Sequence, residues 1–175
     1  MNILVLWRTV PTQWNVSTNF LPAIIQYLHN KGDRITLICF DNNHMQEEVI
    51  DELKEHCNIH IIPYPRKYES IANNFIFLLR YWRIHNPFAP LSLKMVTCLN
   101  EIVSEEEFDI IFIDQTTEIY IANLCLNAKK ILYLVDPLNY SSHQYLLNET
   151  KITKKLSISI LTYFRRRHDL TLYKN

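Results

Sequence analysis

Arg8, Asp114 and Asp136 occupy one kind of position. Each follows an uninterrupted apolar run: I-L-V-L-W before Arg8, I-I-F-I before Asp114 and I-L-Y-L-V before Asp136. Arg8 is a permanent cation. Asp136 is the candidate catalytic carboxylate, a group able to accept a hydrogen bond from a hydroxyl. Thr9, Trp14 and Asn15 share the loop after the first run, Gln115 adjoins Asp114, and Asn139 and His143 follow Asp136-Pro137. Each residue also has a plainer reading. Arg8 could pair with a nearby carboxylate and Trp14 could pack on its own helix. Asp136 could cap the turn that Asp-Pro-x-Asn favours, and Glu118 could be a first-turn charge suited to the helix dipole.

Their placement depends on the elements around them. Short runs rich in Val, Ile and Leu read as strands buried on both faces, the pattern of a parallel sheet. Ligands of open parallel sheets bind beyond the carboxyl ends of the strands. Arg8, Asp114 and Asp136 should therefore line one rim, lined also by Trp14 and Asn15.

Strands are predicted over residues 3–7, 35–40, 59–62, 109–113 and 131–135. The first should be central, flanked by the second and fourth. A helix with Phe20, Leu21, Ile24, Ile25 and Leu28 on one face separates the first two strands. Thr18 or Asn19 would cap it, and Asn30-Lys31-Gly32 should end it with glycine in the left-handed conformation. Further helices are expected over 44–56, 68–84, 91–103, about 118–126 and 151–173. In the 44–56 helix, Met45, Val49, Ile50 and Leu53 should face inward. This alternation predicts an α/β protein: a Rossmann-like open parallel sheet flanked by helices, as one domain over residues 1–175, incomplete at its C-terminal edge. Met1 leads almost directly into the first strand, so no signal peptide is expected. The chain would stop within its last helix, which suggests a truncated gene product or a fragment of something larger.

Composition narrows the chemistry. Net charge is +0, which predicts no nucleic-acid partner. The four cysteines form no C-x-x-C pair, and His44, His56 and His60 share no helical face, so no metal site is expected. Cys39 and Cys125 fall in apolar stretches and should be buried and inert. One glycine, Gly32, serves the whole chain. Neither a P-loop nor a dinucleotide fingerprint can be built from it, nor a G-x-S-x-G elbow.

The order of these motifs resembles the N-terminal domain of GT-B retaining glycosyltransferases of bacterial polysaccharide synthesis, the glycosyltransferase family 4-like type. Asn2-Ile3-Leu4-Val5-Leu6-Trp7, a loop with Pro11, then Leu28, Gly32, Ile35, Thr36 and Leu37 are similar to the family opening, with Asp33 where histidine is usual. Phe108-Asp109-Ile110-Ile111 looks like the family's F-D-x-I/V strand entry. The run from Lys130 to Asp136 looks like its strand ending in H-D or V-D, and Arg165 to Arg167 resemble its R-R-x-E helix. The resemblance implies the acceptor-binding half of an enzyme using a nucleotide-sugar donor, with Arg8 near a phosphate and Trp14 stacking on a sugar. It departs in two ways: the loop after the first strand lacks glycine, and the C-terminal donor domain with its E-x(7)-E motif is missing. The isolated chain should therefore be inactive and hold no cofactor of its own.

The implied partners are a sugar or lipid-linked acceptor and the donor domain. A cytoplasmic location is expected. Lys151, Lys154, Lys155 and Arg165 to Arg167, beside Ile160, Tyr163 and Phe164, suit either a solvated helix or peripheral contact with the inner membrane surface. Two alternatives remain open: a non-catalytic α/β binding or regulatory module, and an enzyme whose site lies at an oligomer interface.

Overall fold

The computed structural model describes residues 1–11, 20–41, 47–65, 92–114, 117, 120, 121, 127–133, 159 and 163. The described elements run β1 (Asn2–Trp7), α1 (Phe20–Asn30), β2 (Arg34–Phe40), α2 (Glu47–Lys54), β3 (Asn58–Ile62), α3 (Leu93–Glu105), β4 (Ile110–Asp114) and β5 (Lys129–Tyr133). The predicted helix over 68–84 lies outside the described residues, as do most residues of those over 118–126 and 151–173; of the latter, Ser159 and Tyr163 are described and helical.

The five strands form one all-parallel sheet in the order β3-β2-β1-β4-β5. The architecture is α/β, with β1 central between β2 and β4, as the apolar runs predict. Residues 3 to 7 of β1 are each at most 3% exposed. Alternation then divides the core in two. Ile3, Val5 and Trp7 join Ile35, Leu37 and Cys39 against Leu21 and Ile25 of α1 and Leu53 of α2. Leu4 and Leu6 join Ile38, Phe40, Ile111 and Ile113 against Met95, Leu99 and Ile102 of α3. Covering both faces is what lets unbroken apolar strands exist in water. Each such side chain contributes roughly 1.5–3 kcal/mol when fully buried.

Two expectations are corrected. The run leading to Asp136 reads as buried on both faces, but Ile131 is 39% exposed and Leu132 and Tyr133 are half-buried. Among the described residues β5 has a strand neighbour on only one side, and an edge strand shares less cover. Ile24 is 38% exposed, because Leu21, Ile25 and Leu28 hold the centre of the α1 stripe and Ile24 falls at its margin.

Helix ends follow local chemistry. In α1, Gly32 N–H donates to the His29 carbonyl at 2.8 Å and Asp33 N–H to the Leu28 carbonyl at 3.2 Å. These are the paired bonds of a Schellman motif. Gly32 has φ 84°, and a Cβ there would meet nothing within 4 Å. Gly32→Ala should thus cost about 1 kcal/mol through backbone strain alone, and Gly32→Asn less. Urea midpoints of both variants check this, and equal losses would point to a steric cause instead. In α3, Ser92 is the N-cap and its Oγ accepts from Met95 N–H at 3.4 Å. In α2, Glu47 and Glu48 occupy the first turn and Lys54 the last, each complementing the helix dipole.

Asn2 anchors the amino edge of the sheet. Its N–H donates to Asp109 Oδ2 at 2.7 Å, its Nδ2 to the Glu107 carbonyl at 3.0 Å, and its Oδ1 accepts from Arg34 Nε at 2.9 Å. One side chain thereby holds the starts of β1, β2 and β4 in register. Among the described residues, no helix is long and apolar enough to cross a membrane.

Candidate functional site

Strand order reverses direction between β1 and β4. The chain builds outward from β1 through β2 to β3, then returns to place β4 on the other side. In open parallel sheets the crevice beyond the carboxyl ends at such a point is where ligands sit. Helix packing brings further groups to this edge. Phe20, the first residue of α1, meets Trp7 at 5.9 Å between ring centroids. Ser92, which caps α3, donates its N–H to Tyr120 Oη at 2.9 Å. Helix starts carry unpaired amides and partial positive charge.

Arg8 and Thr9 follow β1 directly, with Arg8 exposed and Thr9 half-buried. Among the described residues the Met1 amine pairs with Asp33 and Lys54 with Asp51. Asp114, the last residue of β4, is 8% exposed. The β1–β4 register pairs Leu6 with Ile113, so Asp114 stands level with Trp7 and one residue below Arg8. The structure therefore brings Arg8, Thr9 and Asp114 to one edge. Trp14, Asn15, Gln115, Asp136, Asn139 and His143 lie outside the described residues, as does Glu118.

Three contributors were not singled out by the sequence reading. Asp41 follows β2 as Arg8 follows β1, and its N–H donates to the Ile62 carbonyl at 2.8 Å. The signal was present: I-T-L-I-C-F before Asp41 is another apolar run ending in a polar residue. Thr117 is 0% exposed, with Oγ1 at 3.0 Å from the Leu6 carbonyl and 2.9 Å from the Asp114 carbonyl. No local pattern marks that bridge. The third is Trp7, also 0% exposed, whose ring packs with Phe112 at 5.5 Å and Tyr133 at 5.3 Å. Its Nε1 is buried without a hydrogen-bond partner. This aromatic cluster underlies the edge on its α1 side.

Among the described residues, the buried thiols Cys39 and Cys57 are poor nucleophiles near neutral pH. Burial pushes the Cys39 thiol far up, helped by nearby Cys57 and Asp41. Burial also pushes Cys57 up to about 11. Neither thiol becomes a thiolate near neutrality, and the thiolate is the nucleophile. Burial likewise holds the Tyr120 phenol well above its ordinary value, against the opposing Ser92 hydrogen bond.

A hollow of about 750 Å³ lies at the opposite, amino edge, lined by His29, Asp33, Arg34, Lys54, His56 and Glu106 among others. The ends of α1 and α2 border it, and the carbonyl ends of helices favour cations. Its acidic and basic side chains are mixed, so its shape points to no ligand class. The position of β1 and β4 in the sheet is the stronger indicator, so the candidate site stays at the carboxyl edge. Among the described residues no group of three or more His, Cys, Asp or Glu could hold a metal ion. Compared with known proteins, the chain matches no family model and no curated protein.

Proposed function

We propose that the chain is the acceptor-binding half of a sugar-transferring enzyme of the GT-B kind, with its ligand held at the carboxyl edge of β2, β1 and β4. The reading is carried by one observation: exposed Arg8 directly follows the central strand where strand order reverses, at the edge where β4 ends in Asp114. An arginine fork suits phosphate oxygens, and the starts of α1 and α3 at the same edge add favourable backbone donors. The order of motifs from Asn2 to Asp136 supports the glycosyltransferase resemblance, and Asp136 is the proposed catalytic carboxylate. In this reading the nucleotide-sugar is bound by a separate domain, and the acceptor is a sugar carried on a lipid phosphate.

The test is an amide-resolved NMR titration. Geranyl diphosphate and methyl glycosides serve as acceptor probes. Uridine and guanosine diphosphate sugars serve as donor probes. Acceptor probes should move the Arg8, Thr9 and Asp114 signals, and Arg8→Ala should weaken geranyl diphosphate about tenfold, the value of one charge-assisted contact. Diphosphate sugars should bind no tighter than about millimolar, since little surface would offset the cost of association. Micromolar donor binding, or shifts confined to His29, Arg34 and His56, would overturn the reading.

A further inference from the structure

We infer that Thr117 is a positioning residue for the carboxyl-edge site: its hydroxyl bridges the ends of β1 and β4 and sets how Arg8 and Asp114 meet a phosphate-bearing ligand. The inference rests on the carboxyl edge being the binding site.

The ladders across the sheet end at different heights. β1 pairs with β2 as far as Trp7 with Cys39, and β4 pairs with β5 as far as Asp114 with Tyr133. Between β1 and β4 the ladder ends one step earlier, at Leu6 with Ile113. The ladder between the two central strands thus stops at Leu6 and Ile113, where strand order reverses. Thr117 bridges the strand ends there. Its Oγ1 lies 3.0 Å from the Leu6 carbonyl and 2.9 Å from the Asp114 carbonyl, and its N–H donates to the Asp114 carbonyl at 2.9 Å.

A threonine hydroxyl carries one proton, so the two carbonyls share a single donor. The side chain is 0% exposed, so water does not compete for it. The Asp114 carbonyl keeps the Thr117 N–H as a donor, so loss of the hydroxyl falls mainly on the Leu6 carbonyl, two residues before Arg8. Removing the hydroxyl should let the β1 end relax away from β4, carrying Arg8 and Thr9 with it.

The test uses the full chain with Thr117→Val, which keeps the shape, and Thr117→Ser, which keeps the hydroxyl. Carbonyl carbon shifts of Leu6 and Asp114 and amide shifts of Arg8 and Thr9 are measured without ligand. Affinity for geranyl diphosphate is then measured. Thr117→Val should move all four sets of signals and weaken binding about fivefold, while Thr117→Ser should restore both. A Val variant that loses stability yet keeps the Arg8 and Thr9 shifts and the affinity would overturn the proposal. So would a Ser variant that restores neither. If the Val variant does not fold, the wild-type protein decides: a slowly exchanging Thr117 hydroxyl proton must give cross-relaxation to Leu6 and Asp114, and its absence sinks the bridge. Wild-type protein that leaves geranyl diphosphate unbound overturns the carboxyl-edge reading instead. The ligand-free shifts then decide the bridge alone.

Discussion

Trp7→Ala is expected to destabilise the protein by about 4 kcal/mol, within the usual cost of emptying a buried tryptophan site. The ring is 0% exposed and packs with Phe20, Phe112 and Tyr133 at centroid distances of 5.9, 5.5 and 5.3 Å. Those neighbours come from α1, β4 and β5, so one void would loosen three elements. Total stability of a domain is commonly about 5–15 kcal/mol, so the variant should be close to unfolding. Trp7→Phe should cost far less, about 1 kcal/mol. It loses volume but also removes an indole N–H buried without a partner, a group that itself costs about 1–3 kcal/mol. Urea denaturation of the two variants measures the contrast. A loss below about 1 kcal/mol for the alanine variant would mean that the ring does not join these layers.

Alkaline pH should weaken the fold, and Cys57 should resist labelling until the fold opens. Burial raises its thiol from 9.0 to about 11. The folded state therefore holds the proton more tightly than the unfolded chain. Stability from this group is complete below pH 9.0 and is lost as pH rises through about 11. Cys39 and Tyr120 are raised by burial too, so their contributions add in the same direction. Near pH 8 the raised thiol leaves far less Cys57 thiolate than an open chain holds, and thiolate fraction governs reactivity. Peptide-resolved alkylation with and without urea reads this directly. A Cys57 that labels as fast folded as unfolded would contradict its burial behind α2.

The two-sided strands were the most legible part of the sequence. The run Ile3 to Trp7 carries no polar residue at alternate positions, which is only sustainable where helices cover both faces. The structure supplies that cover, with α1 and α2 on one face and α3 on the other. Helix ends were equally legible where one residue type has one conformational use. Gly32 at φ 84° is the case in point. The β5 run was misread because hydrophobicity records what a strand is able to bury. Its position in the sheet determines how much cover it receives.

Site residues divide along the same line. The placement of Arg8 and Asp114 at one edge was legible because a polar residue after an apolar run marks the end of a strand, and parallel strands end on one edge. Asp41 obeyed the same rule and was passed over. Thr117 and the Trp7 cluster were beyond any local pattern. Thr117 reaches the Leu6 carbonyl across 111 positions of sequence, and Trp7 meets rings from three separate elements. The sequence by itself determined that parallel strands would alternate with helices, and which polar residues would cap them. Tertiary structure alone decided that β3 and β5 flank the three central strands, that the β1–β4 ladder stops at Leu6 and Ile113, and which hydroxyl bridges those strand ends. Periodicity is a property of neighbours along the chain. Strand order and the pairing of distant carbonyls depend on which surfaces bury the most together once the whole chain is packed.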